Sequence, residues 1–357
     1  MSTQRPSAAG TGDAYATAGV DTGAADRAIG ALVAVLRTVD TGRAARTVPL
    51  PGHYAAVLEV APNLGIAVGT DGVGSKLIVA ELTGRYDTVG IDCIAMNVND
   101  VICVGAEPIA VVDYLAVEQT DPGVFEAIAL GLKVGAEQAG VEIPGGEVAV
   151  LPELIRGHPS PGGLDLTAAC FGTVALDRIV SGADCAPGDA LIGVPSSGLH
   201  SNGYTLARRV LEPLGLDLRP AALGGATVAD ALLEPTVIYV RAVLELLRSG
   251  VPVHGLAHIT GGGLSNLLRL SDRVGFAIEE PLAVPPVFDL VREHGAVPEA
   301  EMWGIFNMGC GFVAVVPDAA AGEAAALLAA RHPGAARIGT VTGDAGSVGV
   351  PPLGVAL

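Results

Sequence analysis

The chain has 357 residues, enough for two domains whose cores need neither disulfides nor a structural metal. A net charge of -18 disfavours nucleic-acid backbones and anionic membrane surfaces as partners, but leaves a small phosphorylated ligand in its own pocket unaffected. No apolar run approaches the roughly 18 residues of a membrane span, and the five scattered cysteines (Cys93, Cys103, Cys170, Cys185, Cys310) read as buried thiols of a reducing, cytoplasmic setting without metal-ligand spacing.

In chain order, residues 1–14 are small and polar and read as a loose tail. Asp21 is a candidate N-cap for a helix that places Ile29, Leu32, Val33 and Leu36 on one face. A Pro/Gly turn, Pro49 to Gly52, precedes two apolar strands, Ala56 to Val60 and Leu64 to Val68. The span Asp92 to Val104 suits a helix that carries Met96, Asn99 and Asp100, and Gly105 ends it. The strand Ile109 to Val117 leads to a helix capped by Asp121, with Pro122 at its first position and Gly140 at its end. A sharp turn is predicted at Pro144-Gly145-Gly146-Glu147, after which the strand Leu166 to Leu176 closes the first half.

Small, polar and Pro/Gly residues between Asp177 and Gly188 suggest a domain boundary, giving units 15–176 and 177–357. The second half restarts with a strand at Ala190 to Val194 and a polar loop from Ser196 to Tyr204. A helix is expected around Pro235 to Leu247, and a strand at His254 to Ile259 runs into the glycine loop Thr260 to Gly263 and another helix. A strand at Phe312 to Val316, an Ala-rich helix at Ala319 to Ala330 and a last strand near Ile338 follow. Short, partly two-faced strands alternating with helices suit an α+β fold at least as well as a parallel doubly wound α/β sheet.

The densest chemistry lies in Gly69-Thr-Asp-Gly-Val-Gly-Ser-Lys76, directly after a strand. Gly72 and Gly74 let backbone N–H groups approach oxyanions, Ser75 offers a hydroxyl, Lys76 a point charge and Asp71 a carboxylate for Mg²⁺. The order Ser75 then Lys76 is the reverse of a P-loop, so that motif is excluded. Asp100 stands four residues before Gly105-Ala106-Glu107-Pro108, and Glu147 follows two glycines. Asp100 could instead pair within its helix, and Glu147 could be a turn residue. Ser196-Ser197-Gly198-Leu199-His200-Ser201-Asn202-Gly203-Tyr204 and His258-Ile259-Thr260-Gly261-Gly262-Gly263 form a second group, with hydroxyls, imidazoles and an anion-seeking glycine run but no carboxylates. His200 could alternatively cap the following helix. Cys310 lacks any neighbour that would activate it.

These stretches, together with Gly90-Ile91-Asp92, Asn99-Asp100 and Phe306-Asn307-Met308-Gly309, resemble in order and spacing the phosphoribosylformylglycinamidine cyclo-ligase family, from about Tyr15 to near the C-terminus. The Asp-x4-Gly-Ala-x-Pro pattern is shared with selenophosphate synthetase, thiamine-monophosphate kinase and a hydrogenase-maturation protein, which keeps a small-molecule kinase or a non-catalytic nucleotide-binding paralogue as alternatives. The resemblance implies two α/β domains, with N-terminal sheets pairing into a barrel-like homodimer. It also implies ATP-dependent ring closure of formylglycinamidine ribonucleotide to 5-aminoimidazole ribonucleotide through a phosphorylated formyl oxygen. In that frame Asp71, Asp100 and Glu147 would hold Mg²⁺, while Gly72, Gly74, Ser75, Lys76, Asn99 and Gly105 would meet ATP. Ser197, His200, Asn202 and Gly261, Gly262 and Gly263 would grip the substrate's ribose phosphate, and either His200 or His258 would carry a proton. Two departures stand out: Pro49-Leu-Pro-Gly-His-Tyr54 replaces a glycine-rich segment with Phe, and Val148 and Val150 occupy positions where the family carries Thr and often a second acid.

Overall fold

The computed structural model describes residues 22–357; the tail at 1–14, the motif opening at Tyr15 and the cap expected at Asp21 lie outside the described residues. Helix α1 (Thr22–Leu36) is followed by strands β1 (Thr47–Val48), β2 (Ala56–Ala61) and β3 (Leu64–Gly72). Helices α2 (Lys76–Thr83) and α3 (Val89–Ile102), strand β4 (Glu107–Val117), helix α4 (Pro122–Ala139) and strands β5 (Glu142–Val150) and β6 (Leu164–Val174) complete the first half.

Six strands form one sheet in the order β1-β2-β3-β6-β4-β5, antiparallel except for the parallel pair β4 and β5. Burial alternates residue by residue along β6, from Leu164 inside to Val174 inside, as a sheet covered on one face requires. Helix α3 covers that face and α4 packs on α3. The two helices come very close at Gly90 and Gly131, where a Cβ on either would run into the other helix's backbone. Helix α4 is built as its sequence dictates. The Asp121 carboxylate accepts the N–H groups of Gly123 (2.8 Å) and Val124 (3.1 Å), and Gly140 closes the end with φ of 78°.

The opposite face is open. Leu58, Ile66, Val68, Val112, Tyr114, Ala169 and Phe171 share it by register, and none of them is fully buried. One expectation fails in this sheet: residues 144–147 form no turn but run within β5. Pro144 and the two glycines read as punctuation, yet β5 is an edge strand, where a residue without an N–H costs no ladder bond.

The second half contains β7 (Ala190–Pro195), α5 (Tyr204–Leu211), α6 (Val228–Leu233), α7 (Val240–Arg248), β8 (Gly255–His258), β9 (Gly275–Ile278), α8 (Pro286–Gly295), α9 (Glu299–Ile305), β10 (Cys310–Val316), α10 (Ala321–Ala329) and β11 (Ala336–Thr342). Strands β12 (Val348–Val350) and β13 (Val355–Ala356) lie beyond the strand expected to be last. The seven strands order as β13-β12-β9-β11-β7-β10-β8, and β10 is buried along its whole length. Residues 235–239 belong to neither helix nor strand, and the element after the glycine loop is a 3-10 helix, Gly263–Arg269.

One stripe of α3 faces the second half. Asp92, Met96, Asn99 and Asp100 recur at helical spacing and each touches the second half. No helix among the described residues is long and apolar enough to cross a membrane.

Candidate active site

Strand β3 delivers Asp71 at its end, and α3 fixes it there. Asn97 accepts the Asp71 N–H (3.0 Å) and donates to the Asp71 carbonyl (3.1 Å) and to Cys93 O (2.9 Å). The carboxylate takes the Gly72 N–H at 2.7 Å. Burial pushes the Asp71 carboxyl above its ordinary value; the Gly72 bond pulls it down, the Asp100 charge adds to the rise, and His258 and Arg269 oppose it. Asp71, Asp100, His258 and Arg269 therefore share one electrostatic neighbourhood, drawn from both halves of the chain.

His258, at the end of β8, places Nδ1 2.8 Å from Oδ1 of Asp100. Its Nε2 is buried and has no partner among the described residues. An imidazole held through one nitrogen with the other unpaired is the general arrangement of a proton carrier.

His200 is placed differently. It is fully buried with φ of 63°, its Nε2 accepts the Ser197 N–H at 3.3 Å, and its Nδ1 is unpaired. Burial first, then the charges of His258 and Lys76, hold its imidazole well below the usual histidine range. The loop that carries it is clamped from behind: Ser196 donates to Asn307 Oδ1 (2.7 Å), Asn307 donates to Gly198 O (2.8 Å), and Ser197 Oγ donates to Pro235 O (2.6 Å). Asn202 lies beside Gly261, so the two loops expected to hold a phosphate do converge. Asn266 shapes the second loop by accepting from Thr260 N (2.7 Å) and donating to Gly261 O (3.2 Å), with Gly262 at φ of 95°.

Lys76, Asn99 and Glu147 sit elsewhere. Lys76 is wholly buried, and its ammonium lies 2.8 Å from Asp92 and donates to Glu234 O (2.6 Å) and His200 O (3.1 Å). Asp92 in turn accepts from the N–H (2.8 Å) and hydroxyl (2.6 Å) of Thr236. Asn99 donates to Val237 O (2.8 Å) and accepts from Tyr239 N (3.0 Å). Both side chains join the halves, with no donor or acceptor turned toward solvent. Glu147 shares a cross-strand row with Tyr114, Thr167 and Gly72, so it points from the open face, opposite to Asp71 one residue along β3. The chain alone therefore does not bring Glu147 to Asp71 and Asp100. Among the described residues no group of three or more metal-ligating side chains forms.

Of the glycines, Gly74 is exposed with φ of 71° and nothing near its Cβ position, which leaves its N–H groups approachable, and Ser75 starts α2 beside it. Gly105 instead makes room for the 178–180 segment against which it turns. The sequence reading missed Asp92 as an ion-pair partner, and missed His53, Tyr54 and Arg269. The Arg269 guanidinium sits 4.9 Å from the Tyr54 ring centroid, and the Tyr54 hydroxyl donates to Asn266 O at 3.1 Å.

Comparison with known proteins decides the family. The AIR synthase related protein N-terminal domain matches residues 52–174 and its C-terminal counterpart residues 186–350. The phosphoribosylformylglycinamidine cyclo-ligase of Thermococcus kodakarensis is 49% identical over 336 residues, covering 93% of this chain and 96% of that protein. The chain belongs to the phosphoribosylformylglycinamidine cyclo-ligase family. The Methanothermobacter thermautotrophicus member is 48% identical over 338 residues, 93% of this chain and 95% of its own. Among solved structures, the fold is shared with hydrogenase maturation protein HypE in complex with ATP (TM-score 0.59, 22% identity, 87% of this chain and 89% of that one). It is shared equally with thiamine monophosphate kinase from Aquifex aeolicus (TM-score 0.59, 16% identity, 92% and 97%).

Proposed function

We propose that this chain closes the imidazole ring of formylglycinamidine ribonucleotide, converting it with ATP to 5-aminoimidazole ribonucleotide, ADP and phosphate. The observation that carries this is the 49% identity to a cyclo-ligase along 93% of the chain. ATP transfers its terminal phosphoryl group to the formyl oxygen of the substrate. The ribosyl-bearing amidine nitrogen attacks the activated carbon, and the oxygen leaves as part of inorganic phosphate.

The residues present suit that chemistry. Mg²⁺ held with ATP usually takes only one or two protein carboxylates, and Asp71 and Asp100 are two partly open carboxylates that feel each other's charge. Bound there, the ion would offset negative charge on the transferring phosphoryl group. Gly74 and Ser75 offer backbone and hydroxyl donors beside it, while the Gly72 N–H orients the Asp71 carboxylate. Lys76 and Asn99 are assigned to aligning the two halves rather than to nucleotide contact, because the chain already satisfies their polar atoms. Asn202 and the loop from Gly261 to Gly263 would face the ribose phosphate, with His200 and Ser197 holding the opposing loop in shape.

His258 is assigned the proton carried during closure. Asp100 orients the ring through Nδ1, and Nε2 has no partner among the described residues, which supports that role. His200, kept neutral by burial, is a poor proton carrier.

The reading includes a cytoplasmic homodimer joined through the open face of the first sheet, which is apolar and uncovered in a single chain. Glu147 projects from that face and would lie at the junction.

Labelling the formyl oxygen with ¹⁸O tests the route. Transfer of the label to inorganic phosphate is expected, and its retention in any other product would contradict activation at that oxygen.

A further inference from the structure

A cavity of about 260 Å³ is lined by Pro49 to Pro51, His53, Ser181, Arg269, Ser271 and Arg273, and the charge of Arg269 reaches Asp71. It is unusual for this chain, which carries 38 acidic against 20 basic residues. Two arginines line it against a single acid, Asp272. Among the described residues the Arg269 guanidinium makes no ion pair or hydrogen bond, and the face of the Tyr54 ring supports it. Both ring nitrogens of His53 are buried and unpaired. Arg273 contributes one bond to Ala183 O (2.7 Å), which leaves the rest of its donor fork available. The hydroxyl of Ser271 accepts from Arg273 N (3.2 Å) and that of Ser181 from Ala183 N (3.3 Å), so both retain a proton to donate.

Buried or half-buried donors that lack acceptors are costly unless something supplies the acceptors. Arg269, half-buried and without a polar partner among the described residues, meets His53, Ser181, Ser271 and the exposed Arg273 around one cavity whose single carboxylate, Asp272, is also exposed. The acceptor that matches planar guanidinium forks, an imidazole N–H and two hydroxyls is a tetrahedral oxyanion.

Resting on the reading above as an ATP-dependent cyclo-ligase, we infer that this cavity is a second phosphate-binding pocket, built by Arg269 and Arg273 with His53, Ser181 and Ser271. It is separate from the Asn202 and Gly261 region. Its occupant is a phosphate group, borne by one of the two substrates or present as free inorganic phosphate. Burial lowers the His53 imidazole to about 4, with Arg269 adding to the effect and Asp100 opposing it, so the ring that lines the pocket is neutral. Tyr54 holds Arg269 in place by stacking, and through its hydroxyl ties the pocket wall to Asn266 of the glycine loop.

The test is calorimetric titration of the full chain with inorganic phosphate, alongside Arg269→Gln, Arg273→Gln, Arg269→Lys and, as a control at an exposed cation away from either site, Lys133→Gln. The expected result is measurable phosphate binding that weakens at least tenfold in each Gln variant, less in Arg269→Lys, and not in Lys133→Gln. Unfolding curves identify any variant that has lost its structure, and Arg273, being exposed, keeps the comparison usable if Arg269→Gln does not fold. Steady-state kinetics of the same variants separate the sources. A raised KM for ATP points to the nucleotide, a raised KM for the ribonucleotide points to that substrate, and neither points to free phosphate. Absence of phosphate binding in the natural chain, or binding in both Gln variants as tight as in the natural chain, overturns the pocket. Loss of cyclisation in the natural chain would overturn the activity while leaving the binding result intact.

Discussion

His258 of β8 and Asp100 of α3 meet at 2.8 Å across the junction of the two halves of the chain, 158 positions apart in sequence. Neither half holds this pair alone, so the proton-handling group exists only when α3 is docked. The Lys76 to Asp92 ion pair and the Asn99 bonds to Val237 and Tyr239 do the docking.

His258→Ala is expected to lower kcat by about 10² to 10⁴, the range typical of a lost proton carrier. Asp100→Asn should reach a comparable loss. The double variant should be much less impaired than the product of the two, because the residues act as one unit. Steady-state kinetics of the three variants check this, and multiplicative losses would separate the two roles.

Asp71→Asn separates function from stability. The folded chain raises the Asp71 carboxyl above its ordinary value. Ionisation there works against folding above the folded value, and the cost disappears below the unfolded one. An amide removes that cost and still accepts the Gly72 N–H. Denaturant midpoints at pH 7 should be equal or higher than in the natural chain, while turnover falls by at least two orders of magnitude.

Lys76→Met leaves Asp92 buried beside an apolar side chain. Breaking one partner of a buried pair costs about 3–5 kcal/mol. Asn99→Ala should cost about 1–3 kcal/mol for each backbone group it orphans, the Val237 carbonyl and the Tyr239 N–H. Urea unfolding measures both. Effects within a few tenths of a kcal/mol would mean that the junction is held by other contacts.

The histidines set an acid limit. His53, His200 and His332 all lie below the ordinary histidine value, chiefly because burial opposes their charge. Their contribution is fully present above about pH 6.5 and is lost as pH falls toward the folded values. His53, near 4 in the folded chain, accounts for up to about 3 kcal/mol across that window. His53→Phe should therefore flatten the fall in stability between pH 6.5 and 4.5 relative to the natural chain. Parallel curves for the two would contradict this.

On the open sheet face, Tyr114→Asp and Phe171→Glu put charges among Leu58, Ile66 and Val68. Light scattering should report a dimer for the natural chain and monomer for the double variant. A natural chain that is monomeric at working concentration would contradict the interface.

Local signals in the sequence carried far. Asp121, Pro122 and Gly140 mark both ends of α4 because capping involves only neighbouring atoms. The alternation of β6 follows from one covered face. Longer-range facts were not legible. Lys76 reads as a phosphate cation until Asp92, Glu234 and His200 are seen around it, and Glu234 stands 158 positions away. Glu147 reads as a metal ligand beside Asp71 because nothing local reveals that β5 lies three strands from β3, with the side chain on the other face. His53 and Arg269 carry no motif at all, and their meaning arises from a cavity formed between segments more than 200 residues apart.

The central claim is tested most directly by incubating the purified chain with Mg-ATP, with and without formylglycinamidine ribonucleotide, and assaying ADP and aminoimidazole ribonucleotide together. The account predicts ADP formation that depends on the ribonucleotide and matches imidazole product one for one. ADP formed without imidazole, or neither product formed, would contradict it.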